Sequence, residues 1–227
     1  MHQAQTLNTL RLLPDIQLIY GMEYLSKQKV YLPPPRYTKE SKVLRKKTLI
    51  FDLDETLIHC LDDAETASPD ITVLIPVTDP DSSVFEIQGD VMVRPHLYET
   101  LKELTNFYQL IIFTASEQSY ADSILDCIDP NGTLFDARLY RHNCIETSCH
   151  SMGSTYVKDL RIIANRDLRE VLIVDNSTLC FSLQLDNGVP ILPFYCNKSD
   201  DELLHLLYYL QCVASAEDVR MHNREAF

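Results

Sequence analysis

The sequence predicts an α/β fold: a mostly parallel central sheet, helices on both faces, and a small β insertion after the first strand. Three observations carry this. Short apolar runs (Thr48–Asp52, Gln109–Thr114, Val171–Asp175 and Val189–Phe194) recur with helical stretches between them, the pattern of strands buried on both faces. Three core strands end on polar residues, Asp52, Thr114 and Asp175, as strands do when their carboxyl ends open onto a ligand crevice. Between the first run and the first helix, Ile71–Val77 and Val84–Val93 read as a β insertion spanning about residues 60–93.

Element by element, the chain divides into an N-terminal extension, residues 1–45, and a domain, 46–227. In the extension, Thr9 to Leu25 has roughly helical apolar spacing but is broken by Pro14, and Leu32-Pro-Pro-Pro-Arg36 runs extended. Arg36 to Lys47 holds six basic residues and one acid. Such a cluster is a nuclear signal, a docking patch or, more simply, a solvated lead-in to the first strand. In the insertion, Gly89-Asp90 predicts a turn. Pro95 suits a first helical position, and Leu97, Leu101 and Leu104 mark one helix face. Ser116 is a candidate N-cap for a helix running to about Ile128. Arg138–Tyr140 reads as a short strand. Ser199-Asp-Asp-Glu202 has the form of a capping box opening the helix Leu203–Val213.

Composition narrows the function. The net charge of −13 argues against direct nucleic-acid binding. No stretch is long and apolar enough for a membrane span, and no signal peptide is evident. The seven cysteines are odd in number and lack a Cys-x-x-Cys pair, which predicts a reducing compartment, nuclear or cytoplasmic. Cys144, Cys149 and His150 lie close together, but no fourth ligand stands at a familiar zinc spacing.

Residues 49–58, Leu-Ile-Phe-Asp-Leu-Asp-Glu-Thr-Leu-Ile, carry the chemistry. Asp52 and Asp54 are two apart, so both can project from one strand end, or one can turn away as the strand becomes a loop. Paired carboxylates there can hold a hard cation, and one can attack phosphorus. Alone, Asp-x-Asp is more often a turn or a cap. Further along, Thr114 offers a hydroxyl, Lys158 in Tyr156-Val-Lys158-Asp-Leu offers a charge, and Asp175-Asn176 offers oxygen donors. Each is weak singly.

Together and in this order they resemble the four motifs of the haloacid-dehalogenase-like superfamily, in the variant of the small C-terminal-domain phosphatases. Arg94-Pro95, Arg138-Leu-Tyr-Arg141 and Tyr120-Ala-Asp122 are similar to that family too. The resemblance covers about residues 46–220. It implies a Rossmann-like fold and a Mg²⁺-dependent protein serine/threonine phosphatase acting through an aspartyl-phosphate. The substrate would be a phosphorylated protein or peptide, the RNA polymerase II tail among the candidates. By position, it makes Asp52 the nucleophile and Asp54 the acid and base. It gives Mg²⁺ to Asp52, the Asp54 carbonyl, Asn176 and, through water, Asp175. It gives the phosphoryl oxygens to Thr114 and Lys158, places Arg141 near the substrate phosphate, and has Thr56 fix the first loop. A silent phosphopeptide-binding scaffold is the alternative. A small-metabolite phosphatase would carry a larger cap domain.

The chain departs from the family at Thr178, where the fourth motif usually has proline, and at Glu117, where an apolar residue usually lines a pocket for a substrate proline. Residues 142–155 also look longer than usual. An acid at position 117 predicts a bias against acidic flanking residues.

Overall fold

The structure is a computed structural model that describes residues 28–44, 46–62, 65–79, 81–149 and 153–227. The expected N-terminal helical segment, Thr9 to Leu25, lies outside the described residues, as does His150 of the Cys144, Cys149 and His150 group.

Five parallel strands form the central sheet, β1 (Lys47–Phe51), β5 (Tyr108–Phe113), β6 (Phe135–Leu139), β9 (Val171–Asp175) and β10 (Gly188–Pro190), in the order β10-β9-β1-β5-β6. The first motif therefore sits on the central strand. Alternation along each strand splits the core in two. Leu49, Phe51, Leu110, Ile112, Leu172 and Val174 face one side, where they meet α1 (Leu97–Leu104), α2 (Gln118–Ile128) and α3 (Glu202–Val213). Ile50, Ile111, Phe113, Val171 and Ile173 face the other, covered by the 3₁₀ turn Leu160–Ile162 and by Phe181 and Leu32. A short α4 (Val219–Ala226) closes the chain.

The insertion is an antiparallel sheet of β2 (Ile58–Cys60), β3 (Ile71–Thr78) and β4 (Val84–Val93), in the order β2-β4-β3. The turn expected at Gly89-Asp90 is not there: Gly89 pairs with Val73 in mid-strand, and the chain reverses between Asp79 and Ser83. Close approach explains the glycine, because a Cβ at position 89 would lie 2.6 Å from the Cδ1 of Ile75.

Other local expectations shift for similar reasons. Helix α1 begins at Leu97, two residues beyond Pro95, because His96 takes a left-handed φ of 66° as its N-cap. Ser199 and Glu202 form no capping box. Asp201 is the N-cap of α3, and the Glu202 N–H donates to Asp200 Oδ1 at 3.3 Å. The fourth strand is shortened to Gly188–Pro190, since Pro190 and Pro193 lack the N–H a ladder needs. Within the long stretch 142–155, β7 (Ile145–Cys149) pairs antiparallel with β8 (Gly153–Val157), a hairpin the sequence did not announce.

The polar segment before β1 lies against the body. Val30 bridges Ile163, the Asn165 side chain bonds both backbone groups of Leu32, and Arg36 and Lys42 form ion pairs with Asp136 and Glu103.

Candidate active site

The carboxyl ends of β1, β5 and β9 converge, and each strand delivers its last residue or the next one to the same place. Asp52 follows β1 directly, and its N–H still donates to Val174 O at 2.9 Å, so the carboxylate is held in register beside β9. Thr114 follows β5, its N–H donating to Leu139 O at 2.9 Å. Asp175 ends β9.

Asp52 is buried. Its Oδ1 accepts from Lys158 Nζ at 2.5 Å, and its Oδ2 from Thr56 Oγ1 at 3.2 Å. The same ammonium reaches Asp175 Oδ2 at 2.6 Å, and both Lys158 and Asp175 are within 1% of full burial. Burial, and then the neighbouring Asp175 carboxylate, push Asp52 up to about 7 against the opposing pull of Lys158. Burial alone would lower the lysine, but Asp175 and Asp52 outweigh it and hold the ammonium well above its ordinary range.

The motif loop explains why the two aspartates separate. Leu53 and Leu57 are buried, and the N–H groups of Thr56, Leu57 and Ile58 all turn back to Leu53 O. Glu55 takes a left-handed φ of 54°. Thr56 closes the loop onto β9, since the Asn176 N–H donates to its Oγ1 at 3.2 Å. Asp54, half-buried, is thereby aimed at a row of hydroxyls. Its Oδ1 accepts from Tyr120 OH at 2.6 Å; its Oδ2 accepts from Ser116 Oγ at 2.6 Å and Thr114 Oγ1 at 3.4 Å. Ser116 is thus not a helix cap. Glu117 takes the N-cap position of α2 with no capping bond from its side chain to the helix, and the Ser116 hydroxyl serves Asp54 instead.

Of the residues singled out in the sequence, Asp52, Lys158, Asp175 and, through Thr56, Asn176 form one cluster. Asp54 and Thr114 form a second. Arg141 stands apart on the rim: Nε donates to Ala115 O at 2.6 Å, Nη1 to Glu117 Oε1 at 2.9 Å, and the guanidinium lies 5.1 Å from the Tyr156 ring. Residues whose part was not foreseen are Ser116 and Tyr120, which hold Asp54, and Arg94. The only sequence signal for Tyr120 was its place in Tyr120-Ala-Asp122. Arg94 is fully buried. It donates to Thr56 O and Leu192 O at 2.9 Å and forms a two-point pair with Asp200, fastening the motif loop to the segment after β10.

The donor set fits a hard divalent cation. Asp52, Asp54 and Asp175 crowd one end of the sheet, with the Lys158 ammonium between Asp52 and Asp175. The carboxylates and the Asn176 amide oxygen supply the oxygen ligands that such an ion takes.

A family model described as NLI interacting factor-like phosphatase matches residues 47–220. The chain is 36% identical over 198 residues to "CTD small phosphatase-like protein 2" of Dictyostelium discoideum, covering 87% of this chain and 32% of that protein. It is 36% identical over 191 residues to "Carboxy-terminal domain RNA polymerase II polypeptide A small phosphatase 1" of Homo sapiens, covering 83% and 66%. It is also 36% identical over 188 residues to "Nuclear envelope morphology protein 1" of Schizosaccharomyces pombe, covering 82% and 37%. The chain therefore spans roughly a third to two thirds of the length of these relatives. Among solved structures it is similar to that of Fcp1, titled an essential RNA polymerase II CTD phosphatase. The TM-score is 0.53 at 20% identity over 75% of this chain and 51% of that one, a likeness of fold.

Proposed function

The chain belongs to the NLI interacting factor-like phosphatase family, and on that premise we propose that it is a Mg²⁺-dependent protein serine/threonine phosphatase with Asp52 as nucleophile. The observation that carries the reading is the pairing of two differently held carboxylates. Asp52 is buried and pinned by Lys158 and Thr56, and Asp54 is half-buried and held by hydroxyls. The first environment suits a nucleophile toward phosphorus, the second a group that gives and takes a proton.

In the first half-reaction an Asp52 oxygen attacks phosphorus and the phosphorus–oxygen bond to the serine or threonine breaks. Asp54 gives its proton to the departing oxygen. In the second, Asp54 takes a proton from the water that attacks the aspartyl-phosphate, releasing phosphate and restoring Asp52. Lys158 offsets charge on the transferring group, and Thr114 orients it. Asp52, the Asp54 backbone carbonyl and Asn176 would hold Mg²⁺, with Asp175 acting through water. The ion supplies charge stabilisation for the phosphoryl oxygens. A silent binding module is disfavoured, because every group that the two half-reactions need is present.

The substrate class is a phosphorylated protein segment. Support comes from the names of the relatives and from the size of the insertion, a three-stranded sheet rather than a cap domain. The polymerase tail is one candidate. Nuclear association is proposed on the same relatives. No helix among the described residues is long and apolar enough to cross a membrane.

The test is turnover of nitrophenyl phosphate and of phosphoserine peptides with and without Mg²⁺. EDTA should stop both reactions and Mg²⁺ restore them. Asp52→Asn should lower kcat at least about 10³-fold with the fold intact, as loss of a nucleophile does. Full activity without metal would overturn the metal assignment, and substantial activity in Asp52→Asn the covalent one.

A further inference from the structure

Away from the three carboxylates, three unlike ligand groups from three stretches of chain meet beside the motif loop. His59 lies on β2, Glu65 in the loop that follows, and Cys196 between β10 and α3. Their ligand atoms all lie within 4.8 Å of one another. His59 Nε2 is 3.1 Å from Glu65 Oε1 and 3.0 Å from Oε2, and Cys196 Sγ is 3.5 Å from Glu65 Oε1. A tetrahedral Zn²⁺ with bonds of about 2.0–2.3 Å has ligand–ligand edges of about 3.3–3.8 Å, close to the contacts of Glu65 with His59 and Cys196.

The histidine supplies a second, independent reason. Its ring is buried, and both nitrogens face carboxylate: Glu55 Oε1 stands 3.2 Å from Nδ1, opposite Glu65 at Nε2. A neutral imidazole has one N–H. If Nδ1–H donates to Glu55, the Nε2 lone pair points at carboxylate oxygens, an acceptor against an acceptor. A second ring proton, making ion pairs with both carboxylates, or a cation bound between Nε2 and Glu65 resolves the conflict, and the nearby Cys196 thiol offers a further ligand to the cation. A carboxylate on the far nitrogen is also the usual outer partner of a metal-bound histidine, fixing tautomer and ring orientation. Tyr195 packs edge-on against the ring at 5.2 Å and 87°.

We propose that His59, Glu65 and Cys196 form a Zn²⁺ site, distinct from the Mg²⁺ site and completed by a fourth ligand from solvent. Thiolate and imidazole donors select Zn²⁺ over Mg²⁺. Glu65 comes prepared, since the Asp62 N–H donates to it at 2.9 Å and holds its carboxyl below the ordinary range. Cys196 is a thiol in the metal-free form, its proton leaving as the ion binds. The site would clamp the insertion to the loop after β10. That loop already grips the motif, the Phe194 N–H donating to Glu55 O at 2.8 Å. Zn²⁺ there would stiffen the turn that carries Asp54. The proposal does not depend on the phosphatase reading.

Co²⁺ is the probe. Added to the reduced, EDTA-treated full chain in excess Mg²⁺, one equivalent should produce a near-ultraviolet thiolate-to-cobalt band and tetrahedral visible bands, both abolished by Zn²⁺. An oxygen-only site gives no thiolate band, so the Mg²⁺ site is silent. Cys196→Ser should remove the band. Glu65→Gln should keep it but weaken Co²⁺ binding at least about tenfold, and Glu55→Gln should weaken it about 10–100-fold through the ring. Circular dichroism checks that each variant is folded. Absence of the band in the wild type, or its persistence in Cys196→Ser, overturns the proposal. Should Cys196→Ser not fold, unchanged affinity in Glu65→Gln overturns it as well.

Discussion

Glu117 Oε1 accepts a hydrogen bond from Arg141 Nη1 at 2.9 Å, so the acid that departs from the family pattern is paired with the arginine expected near the substrate phosphate. The side chains are 64% and 39% exposed, which places the pair on the rim, where such contacts are worth about 0.2–1 kcal/mol. A phosphoryl group approaching Arg141 has to compete with Glu117. Glu117→Leu is therefore expected to lower KM for phosphopeptides by a factor of about 1.4 to 5, with kcat little changed, and to relax discrimination against acidic flanks. The check is kcat/KM on matched acidic, neutral and Ser-Pro phosphopeptides. An identical ranking in both proteins would mean that Glu117 plays no part in selection.

Tyr120 and Ser116 hold the two oxygens of Asp54 at 2.6 Å each. Their loss should matter most when the leaving group needs a proton. Tyr120→Phe should cut kcat on phosphoserine peptides about 10²-fold, the lower end of what general acid catalysis provides. It should cost far less on nitrophenyl phosphate, whose leaving group departs unaided. Equal losses on the two substrates would assign Tyr120 a purely structural part.

Arg94→Met should unfold the protein more readily by about 3–5 kcal/mol, the cost of leaving a partner charge buried and unpaired. The carbonyls of Thr56 and Leu192 would lose the Arg94 donor, and Asp200 would keep only the Glu202 N–H besides. Urea unfolding measures the change. The double variant with Asp200→Leu should recover part of it, and strict additivity would argue against a coupled pair.

Asp122 accepts from Arg138 Nη1 at 2.8 Å and Tyr140 OH at 2.7 Å. Burial raises its carboxyl, but these donors outweigh burial and hold it below the ordinary range. A depressed carboxyl stabilises the fold above its unfolded value, and that contribution is lost as pH falls through the folded one. Asp122→Asn should thus be less stable than wild type at neutral pH, with the gap closing below about pH 3. A gap of constant size across thermal melts from pH 7 to pH 2 would contradict the assignment.

The order of apolar runs was enough to read the parallel sheet and the strand ends on which the candidate site lies. Runs such as Leu-Ile-Phe before Asp52 and Val-Leu-Ile-Val before Asp175 are buried on both faces, and such strands need no partner's context to be read. Spacing also placed Asp52, Thr114 and Asp175 at strand ends, and register then brings them together. Local propensity misled where a residue served a distant neighbour. Gly89 signalled a turn, yet it makes room for Ile75, and Ser116 signalled a cap, yet it bonds Asp54. Which group meets which across long separations was set by packing: Lys158 bridging Asp52 and Asp175, Arg94 reaching Asp200, Glu117 paired with Arg141, and Cys196 beside Glu65. Periodicity encodes which face a side chain takes on its own element. The partner it finds there depends on how the elements are stacked, which no local pattern records.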